Sequence, residues 1–263
     1  MTIDIDSDDD PRIALYARIG DAAWLRGQGL FVAEGRLVVE RLIASGRFAI
    51  DSVLVTPAAR RALGGRLETV DSHVWVCSQA TMDRVTGFNF HRGCLAIARR
   101  PGPASMNEWF GGDRVLLGLE GVGNPDNVGG LFRTAAAFGA GGILVSPSTA
   151  DPLYRKSVRT SMGAVLQVPW ALAEPWPEAL GTLRSHGYRV AALTPQHDAI
   201  TIDRFASHGY RSLVLLLGGE GPGLTDAALA AADDRVRIPI VAPIDSLNVT
   251  VAAGIALHAL RRV

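Results

Sequence analysis

From residue 113 onward the chain repeats one pattern: a short aliphatic run, a loop rich in glycine, proline or polar residues, and an alanine-rich stretch with helical spacing. The aliphatic runs fall at residues 115–119, 143–145, 189–193, 213–217 and 235–238. Strands that are apolar on both faces and alternate with helices belong in a mostly parallel sheet covered on both sides, so an α/β domain is predicted over 113–263. A smaller alternation precedes it, with strands near 31–33, 52–55, 74–77 and 94–98 and helices over 35–45 and 78–85, predicting a second compact α/β unit over 12–100. Two prolines and a glycine between 101 and 103 break the pattern, and 101–112 reads as a linker. Residues 1–11 hold five Asp and end at Pro11, which reads as a disordered acidic arm.

Charge is informative only piecewise, because 26 bases and 26 acids give a net charge of zero. Residues 1–10 carry −5, residues 11–100 carry +6, and the remainder carries −1. A basic unit behind an acidic arm favours phosphate-bearing partners. Lys156 is the sole lysine, so the other bases are arginines, which bind phosphate bidentately and stack on bases. No run of about 18 apolar residues suggests a membrane span. The acidic N-terminus is the opposite of a secretory signal, so a cytoplasmic protein is expected. Cys77 and Cys94 are read as buried small hydrophobes, and no histidine stands at metal-ligand spacing, so no metal site is expected.

Ligands of parallel sheets gather beyond the carboxyl ends of the strands. Three loops there are expected to converge: Thr194, then Gly218-Gly219-Glu220, then 239–247. Glycines at 218, 219, 221 and 223 leave main chain bare for a flat ribose or adenine. The spacing G-x-G-x-x-G is met in neither glycine-rich loop, and no Gly-Lys-Ser/Thr occurs, which argues against a dinucleotide fold and excludes a P-loop. Asn127 and Ser246 are candidate helix N-caps, and the last helix is rich in small residues (Ala252, Ala253, Gly254, Ala256), so another helix can pack close to it. Arg133, among small and apolar neighbours, is a candidate phosphate or carboxylate contact.

Three segments together resemble the motifs of the SpoU/TrmH-type RNA 2′-O-ribose methyltransferases of the SPOUT superfamily: Asn124-Pro-Asp-Asn-Val-Gly-Gly-Leu-Phe-Arg133, Leu217-Gly-Gly-Glu-Gly-Pro-Gly-Leu224, and Ile238-Pro-Ile with Ser246-Leu-Asn-Val-Thr-Val-Ala-Ala253. Phe31-Val-Ala-Glu-Gly-Arg36 and Phe90-His-Arg-Gly93 resemble the family's L30e-like substrate-binding domain. The chain departs from the common pattern at Asn124, Gly219 and Arg92, where many members carry Asp, a polar residue and Gln.

The resemblance implies a C-terminal sheet threaded into a trefoil knot, an obligate homodimer, and S-adenosylmethionine bound by Thr194, Leu217, Gly218, Gly219, Ile238, Ser246 and Leu247. It implies Arg133 as the catalytic arginine, with Asn127, Glu220, Ser246 and Asn248 around it. Arg36, Arg92, Lys156 and Arg159 are candidate RNA phosphate contacts. A guanidinium is a poor free base, so Arg133 is expected to bind the adjacent phosphate and stabilise the developing alkoxide of a ribose 2′-hydroxyl. The expected reaction is RNA 2′-O-methylation, with ribosomal RNA favoured. The alternatives are a tRNA 2′-O-methyltransferase and a non-catalytic RNA-binding or ribosome-assembly protein on the same scaffold.

Overall fold

The fold was analysed in a computed structural model that describes residues 2–102, 104, 106, 112–241 and 245–261. The chain divides into two compact units, one of residues 1–102 with 152–167 and the other of residues 103–151 with 168–263. The expected linker at 101–112 falls in large part (103, 105 and 107–111) outside the described residues.

The N-terminal unit is built on a five-stranded mixed sheet. Its strands are β1 (Thr2–Ile5), β2 (Leu30–Glu34), β3 (Ile50–Val55), β4 (His73–Cys77) and β5 (Cys94–Arg99), in the order β1-β4-β3-β5-β2. β4 pairs in parallel with β1 and β3, whereas β5 runs antiparallel to β3 and β2. Its helices are α1 (Ala22–Gly27), α2 (Arg36–Ser45), α3 (Pro57–Leu63), α4 (Gln79–Thr86) and, from the distant segment, α6 (Arg155–Thr160). β2 is buried at all five positions, and Leu54, Leu95 and Ile97 pack with Tyr16, Met82 and Phe90 in one core cluster. The Tyr16 hydroxyl meets the Ser52 hydroxyl at 3.0 Å, so its polar end is satisfied inside the core. Cys77 and Cys94 are free and buried, and burial pushes their thiols up to about 11 and about 12, which leaves them inert at neutral pH.

Two expectations for this unit are corrected. The acidic arm is not disordered: Thr2–Ile5 pairs in register with Val74–Cys77, Ile5 is buried, and Ile3 packs on the core while Asp4 points outward. Asp10 then caps the 3-10 helix Pro11–Arg18 by accepting from the Arg12 amide at 2.9 Å. Residues 152–167, expected in the C-terminal domain, belong to the N-terminal unit and add Arg155, Lys156 and Arg159 to its basic charge.

The second unit carries seven strands: β6 (Val115–Glu120), β7 (Gly142–Val145), β8 (Trp170–Leu172), β9 (Arg189–Leu193), β10 (Ile200–Thr201), β11 (Leu213–Gly218) and β12 (Asp234–Arg237). Their order is β10-β12-β9-β11-β6-β7-β8, and every neighbouring pair is parallel. The helices are α5 (Pro125–Phe138), α7 (Ala179–Ser185), α8 (Ile202–Ala206), α9 (Asp226–Ala231) and α10 (Val249–Leu260). The five strands expected from the aliphatic runs are present, and the short edge strands β8 and β10 are additions. β11 lies between β9 and β6 with Leu213–Leu217 fully enclosed, as its uninterrupted aliphatic sequence requires. Because every strand points the same way, the loops after β6, β9, β11 and β12 emerge at one edge. Among the described residues no helix is long and apolar enough to cross a membrane.

Candidate functional site

The glycine-rich loop after β11 is drawn tightly against the end of β6. The Gly219 amide donates to the Glu120 carbonyl at 2.8 Å. A Cβ on Gly219 would overlap the Gly121 carbonyl oxygen, and one on Gly218 would overlap the Gly223 and Leu224 main chain. Glycine is required at both positions because backbone meets backbone where a side chain would stand. The sequence suggested bare main chain here, and the structure gives the reason for it.

This loop forms one wall of a cavity of about 610 Å³ within the second unit, a size typical of a small-molecule site. Thr194, Leu217, Gly218, Gly219, Ile238, Ser246 and Leu247, the seven positions selected as cofactor contacts, all line it. The walls combine bare main chain, aliphatic side chains such as Leu193, Leu229 and Ile240, and the polar side chains of Thr194, Gln196, Ser246 and Asn248. Glu220 is the only ionisable lining side chain among the described residues. Such a cavity suits a nucleoside carrying no phosphate, and a single carboxylate at its edge favours a positively charged ligand over an anionic one. Residues 242–244 of the loop after β12 lie outside the described residues.

At the cavity's edge the first turn of α5, the loop after β11 and the start of α10 are stitched together by side-chain hydrogen bonds. Asn127 Nδ2 donates to Glu220 Oε1 at 2.8 Å, while Asn248 Nδ2 reaches Asn127 Oδ1 at 3.0 Å and Glu220 Oε1 at 3.1 Å. Asn248 Oδ1 is occupied by the Thr250 amide at 2.9 Å, so Asn248 is the N-cap of α10. The expectation that Ser246 caps this helix is therefore corrected; Ser246 is exposed on the cavity rim. Asn127 is likewise not a cap. Asn124 takes that role by accepting from the Asp126 amide at 3.0 Å, and Pro125 opens the helix, which frees the buried Asn127 side chain for the junction.

Arg133 lies further along α5, exposed, and makes no hydrogen bond or ion pair among the described residues. Its guanidinium keeps all its donors for a ligand. α10 packs on α5 so closely that a Cβ on Gly130 would meet Thr250 Oγ1 at 2.8 Å.

Sequence reasoning missed Glu120. Its side chain is buried, with 5 % exposure, at the carboxyl end of β6. Oε1 accepts from Trp176 Nε1 and from Thr225 Oγ1, and Oε2 accepts from the Thr225 amide, each at 2.8 Å. Only its position at a strand end beside Gly121 could have drawn notice to it.

In the N-terminal unit, Arg36, Arg92 and Arg159 line a separate cavity of about 740 Å³, together with Glu34 and His91. Lys156 sits on α6 but is not part of this lining. The buried Glu34 carboxylate collects Arg92 at 3.4 Å, Arg155 at 3.2 Å and Arg159 at 3.8 Å. Arg155, not selected from the sequence, also lies over the Phe88 ring at 5.1 Å. One carboxylate among three guanidiniums leaves a net positive cluster. Among the described residues no group of His, Cys, Asp or Glu could hold a metal ion.

The profile of the SpoU rRNA Methylase family matches residues 114–258. An uncharacterized tRNA/rRNA methyltransferase of Mycobacterium bovis is 42% identical over 233 residues, covering 88% of this chain and 81% of its own. Among solved structures, an rRNA methyltransferase of Sinorhizobium meliloti with AdoMet bound superposes with a TM-score of 0.84 at 25% identity, over 99% of this chain and 97% of that one. An RNA 2′-O ribose methyltransferase superposes with a TM-score of 0.79 at 28% identity, over 98% of each chain.

Proposed function

The chain belongs to the SpoU rRNA Methylase family, and we propose that it transfers the methyl group of S-adenosylmethionine to a ribose 2′-hydroxyl of ribosomal RNA in the cytoplasm. The observation that carries this reading is the Asn127–Glu220–Asn248 junction at the rim of the 610 Å³ cavity, with the unengaged Arg133 on the helix that bears Asn127. The bound S-adenosylmethionine of the Sinorhizobium meliloti protein supports the cofactor, and the likeness to an RNA 2′-O ribose methyltransferase supports the acceptor atom.

The cavity residues fit the cofactor: aliphatic walls for the adenine, bare main chain at Gly218 and Gly219 for the ribose, and no basic lining group among the described residues to oppose a sulfonium. When bound, the cofactor supplies an electrophilic methyl carbon. That carbon would accept the 2′-oxygen with the thioether sulfur as leaving group, and the hydroxyl proton would be released to solvent. Arg133 holds the neighbouring phosphate and stabilises the charge that grows on the 2′-oxygen. Asn127, Glu220 and Asn248 hold one another in place, and Ser246 stands exposed on the cavity rim.

The finer architecture belongs to the same proposal. The trefoil knot implied by the family resemblance is read into the C-terminal unit, where α10, the element after β12, packs against α5. The five-stranded N-terminal unit is read as L30e-like. Val251 and Ile255 on α10 are 50 % and 39 % exposed, and Phe138 at the end of α5 is 38 % exposed. This apolar face supports a homodimer in which the second copy covers α5 and α10.

The deciding experiment is transfer of labelled methyl from S-adenosylmethionine to total RNA from a strain lacking the protein. Label recovered in an alkali-resistant dinucleotide from the ribosomal RNA fraction is the expected result. Label in alkali-sensitive mononucleotides would place the methyl on a base and refute the 2′-O assignment.

Arg36, Arg92, Lys156 and Arg159 are proposed as RNA contacts, with Glu34 holding Arg92 and Arg159 in place. Replacing Arg92 by Ala is expected to lower the slope of log Kd against log salt by about 0.7, the value for one single-strand phosphate contact. RNA-binding titrations at several salt concentrations check this, and an unchanged slope would remove Arg92 from the interface.

A further inference from the structure

Glu120 is a buried carboxylate for which hydrogen bonds alone, and no cation among the described residues, offset the cost of desolvation. A group this costly to bury is informative about what it holds. It touches the glycine-rich loop at both ends. Its main-chain oxygen takes the Gly219 amide at 2.8 Å, and its side chain takes both the amide and the hydroxyl of Thr225 at 2.8 Å. Between these two anchors lie Glu220, Gly221, Pro222, Gly223 and Leu224, all of which line the 610 Å³ cavity. The third donor, Trp176 Nε1 at 2.8 Å, comes from outside the loop and fixes the rotamer of the clasping carboxylate.

We infer that Glu120 is a positioning residue that clasps the loop of residues 219–225 at both ends and thereby holds the cofactor wall and the Glu220 carboxylate in their binding geometry. Glu120 does not line the cavity, so it acts through the loop and not by touching the ligand. Loops of this glycine content sample many backbone conformations, and closing both ends onto one residue removes most of that freedom before the ligand arrives. The inference rests on the methyltransferase reading only for the identity of the ligand.

The test uses the full chain with Glu120→Gln, Thr225→Val and the conservative Thr225→Ser. Glutamine has the size of glutamate and keeps an acceptor for Trp176 and the Thr225 hydroxyl, but sets an amide donor against the Thr225 N–H. Thr225→Val removes the hydroxyl, and with it both the bond to Glu120 and the cap that accepts from the Ala228 amide at 3.2 Å, while Thr225→Ser keeps every bond. In the ligand-free protein, hydrogen exchange of the bonded amides of Gly219, Gly223 and Thr225 is expected to quicken at least tenfold in Glu120→Gln and Thr225→Val, while amides 213–217 of β11 keep their protection. Calorimetric Kd for S-adenosylmethionine is expected to rise about tenfold or more in these two variants, the scale of one hydrogen bond to a charged group, and to stay within twofold in Thr225→Ser. The double variant is expected to be no worse than the weaker-binding single one, because both break the same clasp. Unchanged exchange at Gly219, Gly223 and Thr225, or fully additive losses in the double variant, would overturn the inference. So would unchanged Kd with quickened exchange. Quickened exchange in a protein whose wild type binds no S-adenosylmethionine would instead sink the methyl-donor reading and leave the clasp standing.

Discussion

Replacing Arg133 by Ala is expected to lower the single-turnover rate of methyl transfer by about 10²–10³-fold, the range for removing a group aimed at developing charge. The affinity for S-adenosylmethionine is expected to stay within about twofold, because Arg133 does not line the cavity. The melting temperature is also expected to hold, because the side chain is exposed and makes no bond among the described residues that its loss would break. This separation of rate from binding and stability distinguishes a group that acts on the reacting atoms from one that supports the fold. Arg133→Lys refines the test. A lysine keeps the charge but not the planar fork, so a large loss there means that bidentate phosphate geometry matters. Full activity in Arg133→Lys would leave charge alone as the requirement. Full activity in Arg133→Ala would refute the role altogether.

The central strands and the convergence of the loops that follow them were legible in the sequence for the same reason, whereas the individual cofactor contacts came from the family resemblance. A fully buried parallel strand must be continuously apolar, so Leu213-Val-Leu-Leu-Leu217 announces itself, and the loop that follows such a strand is where ligands gather. Thr194 and Gly218 fall at the ends of β9 and β11 and reach one cavity on that logic alone. The features that escaped lack such a signature. β1 was hidden because five Asp outweigh its period-two pattern, although Ile3 and Ile5 alternate with Asp4 and Asp6 as a half-buried edge strand should. β10 has two residues and β8 three, too few to show any period. The helix caps were misplaced because Asn124 and Asn127, or Ser246 and Asn248, are chemically equivalent candidates within one turn. Pro125 was the deciding clue for the first pair, since proline prefers the first helical position.

Long-range relations are a different matter. Nothing local in residues 152–167 says that they pack with the N-terminal unit, where Arg155 and Arg159 meet the buried Glu34. Nor does a glutamate at the end of β6 reveal that its partners lie 56 and 105 positions away at Trp176 and Thr225. Side chains that join distant segments are set by the tertiary fold, and a single sequence carries no periodic trace of them. The same holds for the Asn127–Asn248 contact, which spans 121 positions and was reached only through family resemblance.

Gly219→Ala is expected to be the most damaging glycine-to-alanine change among the described residues. The added Cβ would overlap the Gly121 carbonyl oxygen and come within 2.7 Å of its carbonyl carbon. Both are main-chain atoms, so no side chain can rotate away to make room. The overlap is relieved only by parting the loop after β11 from the loop after β6. That movement breaks the bond from the Gly219 amide to the Glu120 carbonyl, and it shifts Glu220 away from Asn127 and Asn248. Inserting a methyl group into a closed site costs about 1–3 kcal/mol. Because the relieved form has a misplaced cofactor wall, a cost near the top of that range corresponds to an affinity for S-adenosylmethionine lowered about 100-fold. Urea unfolding and calorimetric titration measure the two consequences separately. Gly123→Ala is the matched control, since a Cβ there meets no atom within 4 Å and both quantities are expected to stay at the wild-type value. Wild-type cofactor affinity in Gly219→Ala would mean that the loops separate without disturbing the cavity, and would remove the close backbone contact from the account of how this site is built.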